Sequence, residues 1–411
     1  MKDKILQLIS AKSFRVFVSL LGLYLFSLGT SWALFSSMKG GLEEVEKVVA
    51  EGRERIDPNL PKTEECPING KMFSKPERDI WESRRPMTAM VENSLEARPQ
   101  SGLSYADVVY EAVAEGGITR FLAVLYCGTS VKDIRIAPIR SVRVYFVDWA
   151  AEYSKYPIFV HSGGANNICN DPVNCPSGVK PRGDIAPEVD AFKLLAKLGW
   201  RVSQGNAMDA GTNLGVPAVV RNQYRLGEKA AWEHSYEGYT DKIFEEATKR
   251  GFAYEDSKGD PWTKNFVGWK FADEKPLTDS KYTDISFEFW SNKGDYDVSW
   301  KYDKTGNKYI RLNGGKEHQD FETKQTISTK NVVIQFVKER GEVDKEGHMF
   351  YTTTGEGKAL VFQNGDVVEA AWKKRTQNDR TRFFDSKGAE ITFVRGEIWI
   401  EAVPAGNDIS Y

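Results

Sequence analysis

The chain has 411 residues, 41% hydrophobic and 12% aromatic, a composition that excludes disorder throughout. At ordinary domain sizes this length supports two domains, each able to bury a core. Its 56 basic and 58 acidic residues leave a formal net charge of −2, which argues against a general nucleic-acid binder.

Val16 to Met38 carries no charge, and about 20 apolar residues suffice to cross a bilayer as a helix. A core helix would show a polar face, and this run shows none. Lys2, Lys4, Lys12 and Arg15 precede it against one acid, Asp3, an excess that favours a cytoplasmic N-terminus. A cleaved signal peptide has similar flanks, but the run is longer than a usual signal core and lacks Ala-x-Ala. No cysteine follows closely to take a lipid. The expectation is an uncleaved signal anchor: residues 1–38 form a cytoplasmic end and one transmembrane helix, and the bulk is extracytoplasmic.

Lys39 to Arg55 reads as an amphipathic helix, broken by Asp57-Pro58 and Leu60-Pro61. Residues 39–65 therefore read as a stalk, or equally as a helix packed on the domain that follows. Residues 66–254 mix strands and helices. Met87–Glu92 is a short apolar run, and Asp107–Ala114 and Ile118–Cys127 flank Gly116-Gly117 as a hairpin. Val144–Tyr153 is helix-like and Ile158–His161 strand-like. Glu188–Leu198 and Thr240–Arg250 are helices closed by Gly199 and Gly251. Residues 255–280, rich in Lys, Asp, Gly and Pro, read as a linker. In 281–404 short strands recur at close spacing, before a tail at 405–411. The fold expected is an α/β or α+β N-terminal domain followed by a mostly β C-terminal domain, preceded by one transmembrane helix. Gly357 to Val367 echoes Gly388 to Ile398, with Phe362 matching Phe393 and Gly365 matching Gly396; two similar hairpins would explain it.

The four cysteines, Cys66, Cys127, Cys169 and Cys175, suit an exported protein. Cys169 and Cys175 bracket a turn-rich segment that can bring their sulfurs together, leaving Cys66 with Cys127; buried free thiols are the alternative. Every asparagine avoids the N-x-S/T pattern, which favours a bacterial envelope.

With Gly116-Gly117 as a two-residue loop, Glu115 pairs with Ile118, Val113 with Arg120 and Glu111 with Leu122. Glu111, Glu115 and Arg120 then share one face. That is either a salt bridge on a half-exposed sheet or an acidic pair with a positioning arginine, fit for acid–base work. Arg140, Ser141 and Arg143 lead into the helix near Val144, with Ser141 as a suitable N-cap. Two arginines at a helix start suit a carboxylate or phosphate, or an internal acid such as Asp107 or Asp148. His161 ends a strand before Ser162-Gly163-Gly164, a place where backbone can approach a ligand. An ordinary hydrogen-bonded histidine is the plainer reading. Walker A, G-x-G-x-x-G, H-E-x-x-H and C-x-x-C patterns are absent, so neither a cofactor nor a metal is expected.

Arg85-Pro86 through Asn93, Ala97-Arg98-Pro99-Gln100-Ser101-Gly102-Leu103 and Ala106-Asp107 through Glu111 resemble the bacterial YerB-like family, envelope proteins of the lipoprotein kind. Glu115 to Phe121, Pro138 to Arg143, Tyr145 to Asp148 and Val160 to Gly164 are similar as well. In the second half so are Tyr309 to Gly314, His318-Gln-Asp320, Lys330 to Gln335 and Gly396 to Ile400. The resemblance runs from about Cys66 to Pro404 and implies an envelope-anchored protein with an α/β domain and a β-rich domain, without implying a reaction. Arg98 and His234 join Arg120 among the candidate ligand-binding residues. This chain departs by having an apolar anchor in place of a lipidated cysteine, and Glu233-His234-Ser235 where the family tends to carry Pro-His-Asn.

Two functions follow as expectations. One is a membrane-anchored extracytoplasmic protein holding a cell-wall glycan or envelope protein through Arg98, Arg120, Arg140, Ser141, Arg143, Gly163, Gly164 and His234. The other is an envelope glycan hydrolase or transferase using Glu111 and Glu115, with His161 as helper.

Overall fold

The computed structural model describes residues 16–27, 29–31, 56–176, 178–256 and 258–411. The chain divides into two units, one ending at Arg55 and one spanning Ile56–Tyr411. In the first, residues 16–27 and 29–31 are helical. Among the described residues no helix is long and apolar enough to cross a membrane. The expected span Val16–Met38 is therefore not supported; its residues 28 and 32–38 lie outside the described residues. Residues 1–15 and 32–55, with the expected cytoplasmic end and most of the stalk, lie outside the described residues. The stalk's last residues, Glu64–Glu65, pair with Met72–Phe73 in the folded unit.

Apolar, β-branched runs in both halves of the folded unit build one large sheet. Its strands are β1 (Met87–Glu92), β2 (Val108–Glu115), β3 (Ile118–Leu125), β4 (Ile158–His161), β5 (Ala207–Asp209), β6 (Asn331–Arg340), β7 (Phe350–Thr352), β8 (Gly355–Gln363), β9 (Asp366–Lys374), β10 (Arg382–Asp385) and β11 (Ile398–Pro404). The order is β10-β9-β8-β6-β11-β2-β3-β1-β4-β5, with β7 on β6. The last strand, β11, lies parallel to both β6 and β2, so the regions on either side of the expected 255–280 linker share this sheet. Both faces of β11 are buried, as befits a central parallel strand written as a continuous apolar run. The molecule is mixed α/β and poor in helix, with a mostly β second half. A smaller sheet (Asp284–Phe287, Val298–Asp303, Lys308–Asn313, Lys316–Glu317) covers one face, and its Trp300 packs edge-on against Trp399 of β11 at 5.5 Å.

Both expected disulfides form, Cys66–Cys127 and Cys169–Cys175. The internal echo is not two similar hairpins. Gly357–Gly365 belongs to the β8–β9 hairpin, whereas Thr392–Val394 pairs in parallel with Lys270–Ala272. What the copies share is a buried phenylalanine and a left-handed glycine, Gly365 (φ 75°) and Gly396 (φ 133°).

The β2–β3 register corrects the expectation. Glu115 faces Ile118 as foreseen, but Ala112 faces Arg120 and Glu111 faces Phe121, because a bulge intervenes between Val113 and Glu115. One extra residue, Ala114, reverses which side each later side chain takes. Glu111 and Glu115 therefore lie on opposite faces, and only Glu115 shares a face with Arg120.

Candidate functional site

Strands β1 and β4 are parallel, as are β4 and β5; β3 is antiparallel to both β1 and β2, so β2 runs with the other three. All four end at one edge, and each ends on an ionisable residue: Glu92, Glu115, His161 and Asp209. Carboxyl ends of parallel strands are where open α/β sheets place ligands. The segment 137–143 passes along this edge, donating Arg140 N–H to Met90 O and taking Ser162 N–H on Arg140 O.

At the end of β2, Glu115 accepts from Arg120 at 2.8 Å and Arg143 at 2.5 Å. Burial alone would raise its pKa, but the two guanidinium groups outweigh it and hold the carboxyl well below the usual carboxylate range. Arg143 thus takes Glu115 as its acid. Asp107 is occupied by the amides of Tyr126 and Gly128, and Asp148 by Thr353 and Gln377. Ser141 does not cap the helix Val144–Ala150. Arg143 stands at the N-cap with no side-chain cap bond, and Ser141 Oγ donates instead to Ser162 O at 2.9 Å.

At the end of β1, Glu92 joins Arg140 (3.0 Å) and His234 Nδ1 (2.8 Å). This hydrogen bond, against the cost of burial, raises the His234 pKa. Ionic contact holds His234 there, so the residue after it, Ser235, is not needed for that link. Glu92 left no mark in the sequence beyond closing a strand.

At the end of β4, His161 is 1% exposed. Its Nδ1 donates to Gly163 O at 2.8 Å, and Gly163 N–H donates to Asp209 Oδ1 at 3.1 Å. Gly163 serves both because it takes φ 67°, a conformation cheap for glycine. A Cβ on Gly164 would stand 2.6 Å from Val142 Cγ1, so Gly164 is needed for close packing of the crossing segment. Burial, foremost, lowers the His161 pKa, keeping the ring neutral. Asp209 was missed by sequence reasoning; the Ala210-Gly211 turn after a short apolar run was its only signal.

Glu111 and Arg98 lie elsewhere. Glu111 is fully buried and pairs with Arg311, accepting also from Thr119 Oγ1 at 2.6 Å. Arg311, itself buried, is ringed by Trp399, Phe121 and Trp300 at 4.9, 5.6 and 5.6 Å. Glu401 lies beside Glu111 in the β2–β11 register. Burial, then the Glu111 charge, raises its pKa well above normal, so one carboxyl is ionised and the other protonated. Arg98 donates to Asn93 O and Asp295 O and stacks on Tyr296 at 5.0 Å, bridging segments rather than facing the edge.

Among the described residues, one trio of potential metal donors converges, Cys66, Asp107 and Cys127. Both its sulfurs are consumed in a disulfide, so the trio does not fit a metal.

Residues 74–204 match the N-terminal domain, and residues 285–400 the C-terminal domain, of the protein family of unknown function DUF3048. The chain belongs to this YerB-like family. A Bacillus subtilis (strain 168) protein described as "Putative lipoprotein YerB" is 29% identical over 352 residues, covering 84% of this chain and 88% of the relative. The crystal structure of the YerB protein from Bacillus subtilis aligns with a TM-score of 0.64 at 25% identity, covering 85% of this chain and 100% of that one. The two YerB-like domains contribute strands to the same large sheet: β1 to β4 fall in the first, and β6 to β10 in the second.

Proposed function

We propose that this is a membrane-associated extracytoplasmic protein that binds a cell-wall glycan polymer along the carboxyl edge of its sheet. The observation that carries the reading is the set of four strand ends, Glu92, Glu115, His161 and Asp209, with Arg140 and Arg143 beside them. The Glu115 and Arg140 side chains remain 30% and 26% exposed, open enough to meet a polar ligand. Placement at the membrane draws support from the relative described as a lipoprotein. It also draws on the exposed apolar side chains of the N-terminal helix, among them Phe17 (62%), Leu23 (66%) and Phe26 (71%), which lipid would cover. A single-pass anchor over residues 16–38, with a cytoplasmic N-terminus, belongs to the same proposal. Glycosidic acid–base work by Glu111 and Glu115 is not carried into it, because the sheet lies between the two carboxyls.

The test uses the full chain in detergent, sedimented with purified cell-wall sacculi. Retention that falls several-fold in Arg140→Ala supports the proposal. Absence of retention, or retention on a protein-only envelope fraction instead, overturns it. Extraction of the chain from membranes by alkaline carbonate would overturn the anchor.

A further inference from the structure

We propose that the cavity at the ends of β4 and β5 binds a small zwitterion, a primary ammonium and a carboxylate on one short skeleton, in the manner of a free α-amino acid. This rests on the edge-binding reading and names a ligand class for one end of that edge. The cavity holds about 240 Å³ and is lined by His161, Arg201, Ser203, Asp209, Thr212 and Asn213, among others. That volume equals roughly eight waters at ~30 Å³ each, enough for a small amino acid.

Three groups in it lack partners. His161 Nδ1 is spent on Gly163 O, while Nε2, on a ring 1% exposed, has no hydrogen bond. With Nδ1–H fixed as the donor and the ring neutral, Nε2 is a lone pair waiting for a donor. Asp209 Oδ1 takes the amides of Gly163 and Gly211 at 3.1 and 2.9 Å, leaving Oδ2 without a hydrogen bond among the described residues. His161 and Asp209 are register partners on adjacent parallel strands, about 4.8 Å apart in backbone, so both side chains leave the same face of the sheet at its edge. The Arg201 guanidinium stacks on Phe192 at 4.2 Å and makes no hydrogen bond or ion pair among the described residues.

Arg201 and Asp209 thus carry opposite charges into one small cavity without closing on each other. His161 Nε2 is a buried acceptor left unmade, which costs about 1–3 kcal/mol; a ligand that donates to it and to Asp209 Oδ2 while accepting from Arg201 serves all three groups. An ammonium has three donors for the first pair, and a carboxylate matches the guanidinium fork. A lone anion would leave Nε2 unserved, and a metal ion would face Arg201.

The experiment records the imidazole NMR signals and melting temperature of the full chain in detergent micelles while glycine or alanine is added. Four histidines make the ring spectrum sparse, and His161→Gln assigns the signal. Glycine and alanine are expected to shift the His161 ring saturably and raise the melting temperature. Methylammonium or acetate alone should bind at least about ten-fold more weakly. Arg201→Gln, which removes no internal hydrogen bond, should weaken binding by about the same factor, and so should Asp209→Asn. No shift with either amino acid, an equal shift with N-acetylglucosamine or Zn²⁺, or unchanged binding in Arg201→Gln overturns the proposal. Continued sedimentation with sacculi in that case would leave the edge-binding reading standing, so the two fail separately.

Discussion

Glu111 and Glu115, four positions apart on one strand, face opposite sides of the sheet because Ala114 is bulged between them. In a regular strand they would share a face. The bulge sends Glu111 inward to Arg311 and Glu115 outward to Arg120 and Arg143. One residue of slack separates a carboxylate that ties the two halves together from one that arms the edge.

The inward carboxylates should respond unequally to amide substitution. Glu111→Gln takes the paired carboxylate away from the buried Arg311 guanidinium; Glu401 loses the neighbouring Glu111 charge but remains fully buried, and that burial, the larger cause of its raised pKa, opposes its ionising in Glu111's place. Breaking a buried pair from one side costs about 3–5 kcal/mol. Glu401→Gln replaces one neutral group by another and keeps an acceptor for Trp300 Nε1, so its cost should stay near 1 kcal/mol. Urea unfolding of the two variants checks the contrast; equal costs would contradict the assignment.

Glu115 gives the edge an acid-sensitive component. Its folded pKa lies below the ordinary value of 4.5, so the unfolded chain takes up this proton first as pH falls. The stability conferred by the Arg120–Glu115–Arg143 group is complete above about pH 4.5 and drains away on further acidification. Glu115→Gln should cost about 3 kcal/mol near neutrality, the low end for a buried pair because this carboxylate keeps some solvent. The variant should also show a flatter loss of urea midpoint below that pH than the parent chain. A parallel acid limb in both would remove Glu115 as its cause.

The features readable from the sequence were the local ones. Gly116-Gly117 between two apolar runs announced the hairpin, and Gly199 and Gly251 closed their helices at φ 72° and 85°. Cysteine arithmetic gave both disulfides. Ala114 is as good a strand residue as its neighbours, so no letter marked it as the extra one, and the register inward of the bulge slipped by one. Ser141 looked like a cap because caps are judged by residue type, but the helix starts later and its hydroxyl is taken by Ser162 O. Arg311 lies 200 positions from Glu111 in an ordinary alternating strand, and no local pattern can report such a partner. The insertion of β11 between β6 and β2 is equally non-local. The face shared by Glu115 and Arg120, next to the turn, was readable, whereas the face of Glu111, beyond the bulge, was not.

His318 should be silent through the physiological range. Arg311 can only donate, so His318 Nδ1 accepts from it at 3.1 Å and Nε2–H donates to Gln100 Oε1 at 2.8 Å. Burial, then the Arg311 charge, pushes its pKa well below that of a free imidazole. Nitrogen-15 spectra are expected to show a neutral Nε2–H tautomer unchanged between about pH 5 and about pH 8, the range in which an ordinary histidine titrates. A signal that moves through that range would mean the network opens to solvent.

His234 should behave in the opposite sense. Its Nδ1–H donates to Glu92 Oε2 at 2.8 Å, and this bond raises the folded pKa above the ordinary 6.5. The folded state then holds the proton to higher pH than the unfolded chain does. The stabilisation is complete below about pH 6.5 and is lost as pH rises through the folded value. His234→Gln should cost about 1–2 kcal/mol on the acid side, the net worth of a charge-assisted hydrogen bond, and little once the parent imidazole has lost its proton. The urea midpoints of parent and variant, compared at about pH 6 and about pH 8.5, should therefore converge at the higher pH. Glu92 also holds Arg140 at 3.0 Å, so loss of the imidazolium leaves that carboxylate to Arg140 alone and draws its guanidinium toward Glu92. Sedimentation with sacculi should then weaken over the same rise in pH, and in His234→Gln it should be weak and independent of pH. A gap in midpoints that widens on the alkaline side would mean that His234 acts through packing rather than through its charge.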